Sequence, residues 1–199
     1  MKALRLLLRV TAPALLAGLL LTGCFVESLH PIYDKAVPPA ATDASLLGSW
    51  QSEKGADDKP ASLAIADQGD NRYSLKYTEE GKTTELRAVR VPVGGQHYLD
   101  VWIEQWDQFQ LPLAASAHLT PTHSFWKVSR DGDTLTLARL DYDRLKGNIE
   151  KHRAAPDYTV VDDDFLVLTG SPARLRIFLQ KYAADPAVFA QPLVFHRQK

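Results

Sequence analysis

Short runs in which apolar and polar residues alternate dominate the middle of the chain. The clearest run covers residues 97–103, where positions 97, 99, 101 and 103 form one face and positions 98, 100 and 102 the other. Alternation with a period of two is the pattern of half-buried strands. Further strand-like runs follow at short intervals, over residues 61–66, 72–77, 83–91, 111–119, 124–129 and 134–137. This spacing predicts a mainly β domain, folded as an antiparallel β-barrel or a strongly curved sheet.

The pattern changes to a helical period near the C-terminus. Ser171 and Pro172 are favourable first residues of a helix, because serine caps free backbone N–H groups and proline needs no N–H partner in the first turn. Apolar residues then recur at 175, 178, 179 and 182, which predicts an amphipathic helix over about 172–184. A weaker helix is predicted over residues 142–152. Residues 193–195 predict a last strand, placed at an edge of the sheet.

The N-terminal segment combines a basic start with a short apolar run. Three basic residues occupy the first nine positions, and the apolar run over residues 10–21 is shorter than the ~20 residues of a spanning helix. These features are typical of a signal peptide, here residues 1–23. The residues Leu-Thr-Gly-Cys at 21–24 resemble the lipobox of bacterial lipoproteins. That resemblance implies cleavage between Gly23 and Cys24, and acylation of Cys24 with diacylglycerol and a further acyl chain. The alternative is an ordinary signal peptide with a chance cysteine.

The residue after Cys24 bears on the location of the protein. In lipoproteins of bacteria with two membranes, aspartate at that place favours retention in the inner membrane, and this chain has Phe25. The resemblance therefore implies an outer-membrane protein and does not specify the leaflet. A domain that faces the periplasm is our own expectation. Two or more acyl chains would make a durable anchor.

Residues 24–45 are rich in proline and alanine and predict an extended tether between the anchor and the domain. Within it, residues 29–33 are more apolar than a tether requires. They favour a segment that packs on the domain surface over a partner-binding motif. A single domain is expected over residues 46–199.

Composition narrows the classes of function. Without residues 1–23, the 23 basic residues fall by three to 20 against 24 acidic ones, a net charge of −4. A mildly acidic chain does not have the basic surface of a nucleic-acid-binding protein. The chain has one cysteine, so lipidation of Cys24 leaves no thiol for a disulfide or for thiol chemistry.

Two resemblances follow from the start of the domain. Gly48 and Trp50 resemble the Gly-x-Trp motif of the first lipocalin strand, in which tryptophan closes the barrel floor. Cys24, His-Pro-Ile-Tyr at 30–33 and Leu-Leu-Gly-Ser-Trp at 46–50 together resemble a family of uncharacterised bacterial lipoproteins. That family implies a lipid-anchored β domain with a closing helix, and it brings no known activity.

No motif for catalysis or metal binding emerges. The serines lack a Gly-x-Ser-x-Gly elbow. His118 and His123 are the closest histidine pair, but a proline interrupts the segment between them, so a metal site is disfavoured. Asp162 to Asp164 fit a solvated turn better than a calcium loop. We therefore expect no enzymatic activity and no cofactor other than the lipid on Cys24.

Aromatic residues are the best candidates for a binding surface. We expect Trp50 and Trp126 in the core, and Trp102, Trp106 and Phe109 at a ligand or partner site near a barrel mouth. The leading expectation is a non-enzymatic interaction or accessory role in the envelope, of unknown specificity, with an envelope protein as a possible partner. The first alternative is a lipocalin-like carrier of a small apolar ligand, which requires an open cavity of several hundred Å³. The second is a hydrolase, which requires a serine or aspartate close to a histidine.

Overall fold

Eight strands close into an antiparallel β-barrel, and three further strands extend its sheet on the outside. The computed structural model describes residues 25–53, 60–104, 112, 119–150, 157–161, 165–182 and 188–199. Within these residues the strands are β1 Phe25–Ser28, β2 Gly48–Ser52, β3 Ser62–Asp67, β4 Arg72–Glu79, β5 Lys82–Val93, β6 Gln96–Trp102, β7 His123–Asp131, β8 Thr134–Arg139, β9 Tyr158–Val161, β10 Phe165–Leu168 and β11 Leu193–Arg197. Helix α1 is Tyr142–Glu150, helix α2 is Pro172–Tyr182, and a 3-10 helix, Ala44–Leu46, precedes β2. The predicted mainly β barrel with a helix near the C-terminus is confirmed.

Two pairings close the barrel. Strand β11 pairs with β2, which is distant in sequence, and β6 pairs with β7 although a long connection separates them. Strands β2 to β7 pair consecutively, β7 pairs with β8, and β11 lies between β8 and β2. In this position Leu193 faces Leu137 and Arg197 faces Trp50. The prediction of an edge position for residues 193–195 is therefore wrong, because β11 has a partner on each side and completes the barrel.

The barrel interior is an apolar core built from the inward positions of its strands. Trp50 and Leu135 are fully buried there, and Trp126 has only 9% of its surface exposed. The expectation that Trp50 and Trp126 belong to the core is confirmed. Because alternate residues of a strand point to opposite faces, the same strands present a second set of side chains on the outside.

A second apolar core covers the outer face of β5 to β8. It contains the apolar stripe of α2, namely Leu175, Phe178, Leu179 and Tyr182. Helix α1, β1 and β10 contribute further buried residues to it. As a consequence both faces of β6 are buried over Tyr98 to Asp100, although their alternation suggested one solvent-facing side.

The first described segment follows the barrel surface. Strand β1 pairs in parallel with β10, and Phe25 lies opposite Phe165. On its other side β1 pairs antiparallel with β7, where Ser28 lies opposite His123. Further along, Ile32 is fully buried and Ala40 forms a bridge to Arg90. The prediction of an extended tether is therefore wrong for residues 25–45, while the preference for packing of residues 29–33 is confirmed. Prolines fix φ and lack an N–H, which suits an irregular packed segment as well as a spacer.

Several sequence predictions fall outside the described residues. They are the signal peptide and lipobox with Cys24, the strand over 111–119, the loop residues Trp106 and Phe109, His118 and Asp162 to Asp164. Of the helices that the structure describes, none has the length and apolar character needed to cross a membrane.

Candidate ligand-binding site

One end of the barrel, which we call the floor, is closed by Arg197 and Trp50. The Arg197 guanidinium lies 4.1 Å from the centre of the Trp50 ring. It also donates hydrogen bonds of 2.7 Å to the carbonyl oxygens of Leu47 and Ser45. The Trp50 indole N–H donates to the carbonyl of Leu46 at 2.9 Å. These contacts hold the 3-10 helix and the segment before β2 across the end of the barrel.

Gly48 makes this floor possible. Its φ of 122° lies in a region that residues with a side chain rarely adopt. A Cβ at this position would lie 2.7 Å from a guanidinium nitrogen of Arg197. The Gly-x-Trp pair thus has a physical reason here: glycine leaves room for the arginine that covers the tryptophan.

The opposite end of the barrel, which we call the open end, contains a cavity of about 570 Å³. Its base is apolar and is formed by inward side chains of β5, β6, β7, β8 and β11, namely Leu86, Val101, Trp126, Leu137, Leu193 and Phe195. Nearer the solvent, the inward positions hold the smaller Thr84 and Ser124. Small side chains at these positions leave space that bulky ones fill at the floor.

Glu27 of β1 contributes a half-buried carboxyl to the cavity wall. Ser28 faces His123, the first residue of β7, so β1 places the preceding Glu27 at the open end. Burial raises the pKa of Glu27 to about 7, and a hydrogen bond from Thr122 and the charge of Arg139 limit the rise. The Glu27 carboxyl therefore changes charge near neutral pH, which few carboxyls do.

Arg139 and Tyr77 form another part of the cavity wall. Burial and the nearby Glu79 carboxylate raise the pKa of Tyr77 to about 12, so its phenol stays protonated at neutral pH. Arg139 lies at the end of β8 and is exposed to solvent. The site therefore combines an apolar base with a polar and ionisable rim.

The start of α1 adds two carboxyls to the rim. Asp141 accepts a hydrogen bond of 2.9 Å from the backbone N–H of Arg144, and the Arg144 side chain lies 3.9 Å from the same carboxyl group. Asp141 thus caps the helix as well as lining the cavity. Asp143, in the first turn of α1, also lines the cavity and is exposed.

The structure brings one of the three predicted aromatics to this site. Trp102 lines the cavity and packs against the outer core, with its ring centre 5.8 Å from that of His123. Trp106 and Phe109 lie outside the described residues. The chain leaves β6 after Trp102 and enters β7 at His123, so the connection that contains them starts and ends at the open end.

Sequence reasoning missed Glu27 and Arg139 as site residues. A signal for Arg139 was present, because it shares the inward face of β8 with Leu135 and Leu137. Glu27 is the single acidic residue in the short run 25–28, but the expectation of an extended tether gave it no role. The parallel pairing of β1 with β10 joins segments far apart in sequence, and no local pattern predicts it.

A buried pair of ionisable groups lies next to the site. His123 Nδ1 donates a hydrogen bond of 2.5 Å to Asp100, which has no exposed surface and also accepts the Ile32 N–H at 2.7 Å. Burial raises the pKa of Asp100, and these hydrogen bonds oppose the rise. An aspartate thus lies next to a histidine, so this criterion does not exclude the hydrolase alternative. Ser28, which pairs with His123 between β1 and β7, donates to the carbonyl of His30 at 2.7 Å.

In the described part of the chain, no three His, Cys, Asp or Glu side chains are grouped so that they could hold a metal ion.

No model of a protein family, no curated protein and no solved structure matches the chain. The resemblances drawn from residues 24, 30–33 and 46–50 therefore stay predictions, and function is inferred from the open end of the barrel and from the N-terminal sequence.

Proposed function

We propose that this protein is a non-enzymatic, lipid-anchored envelope protein that binds a small apolar ligand at the open end of its barrel. The observation that carries the proposal is the cavity of about 570 Å³ with an apolar base. Ligand sites in proteins typically have volumes of about 300–1,000 Å³, apolar walls and a few polar groups. A barrel filled by its own side chains would have excluded a carrier, and this barrel is filled only toward the floor.

The floor supports the same conclusion. Arg197 covers Trp50 and bonds to the segment before β2, so a ligand has one described route of approach, through the open end. A closed floor and an open mouth allow an apolar molecule to be buried along its length, with one end in contact with the polar rim. Burial of apolar surface stabilises such a complex by roughly 25 cal/mol per Å².

The lipid anchor on Cys24 is proposed from the sequence of residues 1–24. Strand β1 begins at Phe25, so an acylated Cys24 would attach directly to the sheet with no spacer between them. In this proposal the barrel lies at the surface of the outer membrane on its periplasmic side, close to a source of apolar ligands. The substitution Cys24→Ala is expected to abolish labelling by radioactive palmitate and to leave an unprocessed precursor. Normal labelling of the variant would contradict the anchor.

The cavity can be tested by filling it. Thr84→Phe places a ring at an inward position of β5 that lines the cavity. The control is Thr83→Phe, the neighbouring exposed position on the opposite face of the same strand. With a neutral decyl alcohol as the probe, calorimetry is expected to show one-to-one binding, at least about tenfold weaker in Thr84→Phe and unaltered in the control. Equal binding by both variants, or no binding to the native protein, would contradict the proposal.

Strand β9 favours a second candidate function, interaction with an envelope protein. Among the described strands β9 pairs only with β10, and Val160 and Val161 are 47% and 48% exposed. An open sheet edge with exposed apolar residues can accept a strand from a partner. A photo-crosslinking residue at Val160 should capture a discrete partner in the native envelope, whereas one at the exposed Ile177 of α2 should not. Equal capture at both positions would contradict a partner strand at this edge.

A further inference from the structure

We propose that the ligand of this cavity is an amphiphile with a cationic head group, its apolar part held by the barrel interior and its positive charge by Glu27 and the neighbouring aromatic rings. This inference rests on the proposed function and adds the chemical class of the ligand. Four observations carry it: the apolar base, the excess of carboxyls at the rim, the position of Glu27 and the aromatic walls.

Carboxyls outnumber cations in the cavity wall. Among the residues that the structure describes, the ionisable side chains that line it are Glu27, Asp141, Asp143 and Arg139, three acidic groups and one basic group besides the phenols. The capping contacts of Asp141 involve Arg144, which is not part of the wall. A rim of this composition attracts a positive head group and repels a negative one.

Glu27 occupies the most favourable place for binding a cation. Burial desolvates its carboxyl, and among the described residues no lysine, arginine or histidine forms an ion pair with it. A cation that reached this carboxyl would form a charge-assisted contact that the described residues do not supply. Arg139, exposed at the rim, moderates the charge of Glu27 from a greater distance.

Aromatic rings surround the same space. Trp102, Trp126 and Tyr77 line the cavity, as does Tyr142, whose ring already has the Lys146 ammonium 5.4 Å from its centre. A cation over the face of such a ring is attracted by it, and the attraction is strongest where water is excluded. An apolar base, a half-buried carboxyl and several ring faces are the groups that recognise an alkylammonium ion.

The charged groups that face Glu27 determine how binding responds to pH. Arg139 of β8 and His123 of β7 act on it as positive neighbours, and Asp100 of β6 acts as a negative one. Asp141 and Asp143 lie at the same rim. Since a bound cation favours the ionised carboxyl, its affinity should rise between about pH 6 and about pH 8, through the pKa of about 7 that burial gives Glu27.

The experiment compares three probes that share a decyl chain: decyltrimethylammonium, decyl alcohol and decyl sulfate, each below its aggregation concentration. Calorimetry at about pH 8 is expected to show the cationic probe binding about tenfold more tightly than the alcohol, and the sulfate more weakly than either. The preference for the cation over the alcohol should shrink by several-fold at about pH 6.

Two variants locate the effect. Glu27→Gln is nearly isosteric, so it should fold, and it is expected to reduce the preference for the cationic over the neutral probe by several-fold at about pH 8 and to remove its dependence on pH. The control Asp70→Asn removes the same charge at an exposed turn and should keep the preference of the native protein. A sulfate that binds as tightly as the cation, or a cation preference that Glu27→Gln leaves undiminished and still dependent on pH, would overturn this inference. Failure of the neutral alcohol to bind would instead overturn the proposed function.

Discussion

Removal of the Asp100 carboxyl should release the first described segment from the barrel. This fully buried group accepts hydrogen bonds from the Ile32 N–H at 2.7 Å and from His123 at 2.5 Å. Asp100→Ala would leave both donors without this acceptor and the imidazole without its carboxylate. Leaving a buried hydrogen-bonding group without its partner typically costs about 1–3 kcal/mol of unfolding free energy, and this substitution leaves two such groups. We therefore expect Asp100→Ala to lower the unfolding free energy by about 3–5 kcal/mol.

A more conservative variant separates the contributions of charge and hydrogen bonding. Asp100→Asn keeps an oxygen that can accept from Ile32 but presents an amide in place of the carboxyl to His123, so about 1–3 kcal/mol should be lost. Asp70→Asn, at a carboxyl whose side chain is 89% exposed, is the matched control and should change stability by less than about 0.5 kcal/mol.

The assay combines urea unfolding with amide hydrogen exchange. In Asp100→Ala the Ile32 amide should exchange markedly faster than in the native protein, while amides in the centre of β4 should change only as far as global stability does. An Asp100→Ala variant that loses less than about 1 kcal/mol, with the Ile32 amide still protected, would refute the assigned role of this carboxylate.

Two further substitutions test the floor and the open end. Arg197→Ala should lower the unfolding free energy by about 2–4 kcal/mol, because it removes two hydrogen bonds and the contact with Trp50. Arg197→Lys should restore only part of this loss in urea unfolding. Equal stability of the native protein and both variants would contradict the role of Arg197 in closing the floor. For Glu27, folding raises the pKa from 4.5 to about 7, so the folded state binds the proton more tightly and stability falls as pH rises through that window. Glu27→Gln should remove this loss, which is on the order of 3 kcal/mol at most, and identical pH profiles of the unfolding free energy would contradict the buried carboxyl.

The barrel could be predicted because its interior is specified locally. Each inward run, such as Tyr73 and Leu75 or Leu135 and Leu137, alternates with polar residues, and that period is independent of what the strand pairs with. The apolar stripe of α2 is specified in the same way. These elements were therefore visible without any knowledge of the tertiary structure.

The parts that could not be predicted depend on contacts between distant segments. Asp100 looked like a solvent-facing residue of β6 because nothing near it in sequence indicates that residues 29–33 cover it. Strand β11 belongs to the barrel wall because it closes the gap between β8 and β2. The residue pattern of this last strand does not indicate its two partners. Glu27 and Arg139 meet at the open end for the same reason, through the pairing of β1 outside the barrel.

Methyl-resolved NMR of the native protein with the neutral decyl alcohol tests the central claim most directly. Binding in the cavity should shift the methyl signals of Val101, Leu137 and Leu193, which line it, during a saturable one-to-one titration. The methyl signals of Leu168 and Leu175, in the core outside the barrel, should stay unchanged. Shifts confined to the outer core, or no saturable shift at the cavity methyls, would contradict a ligand site at the open end of the barrel.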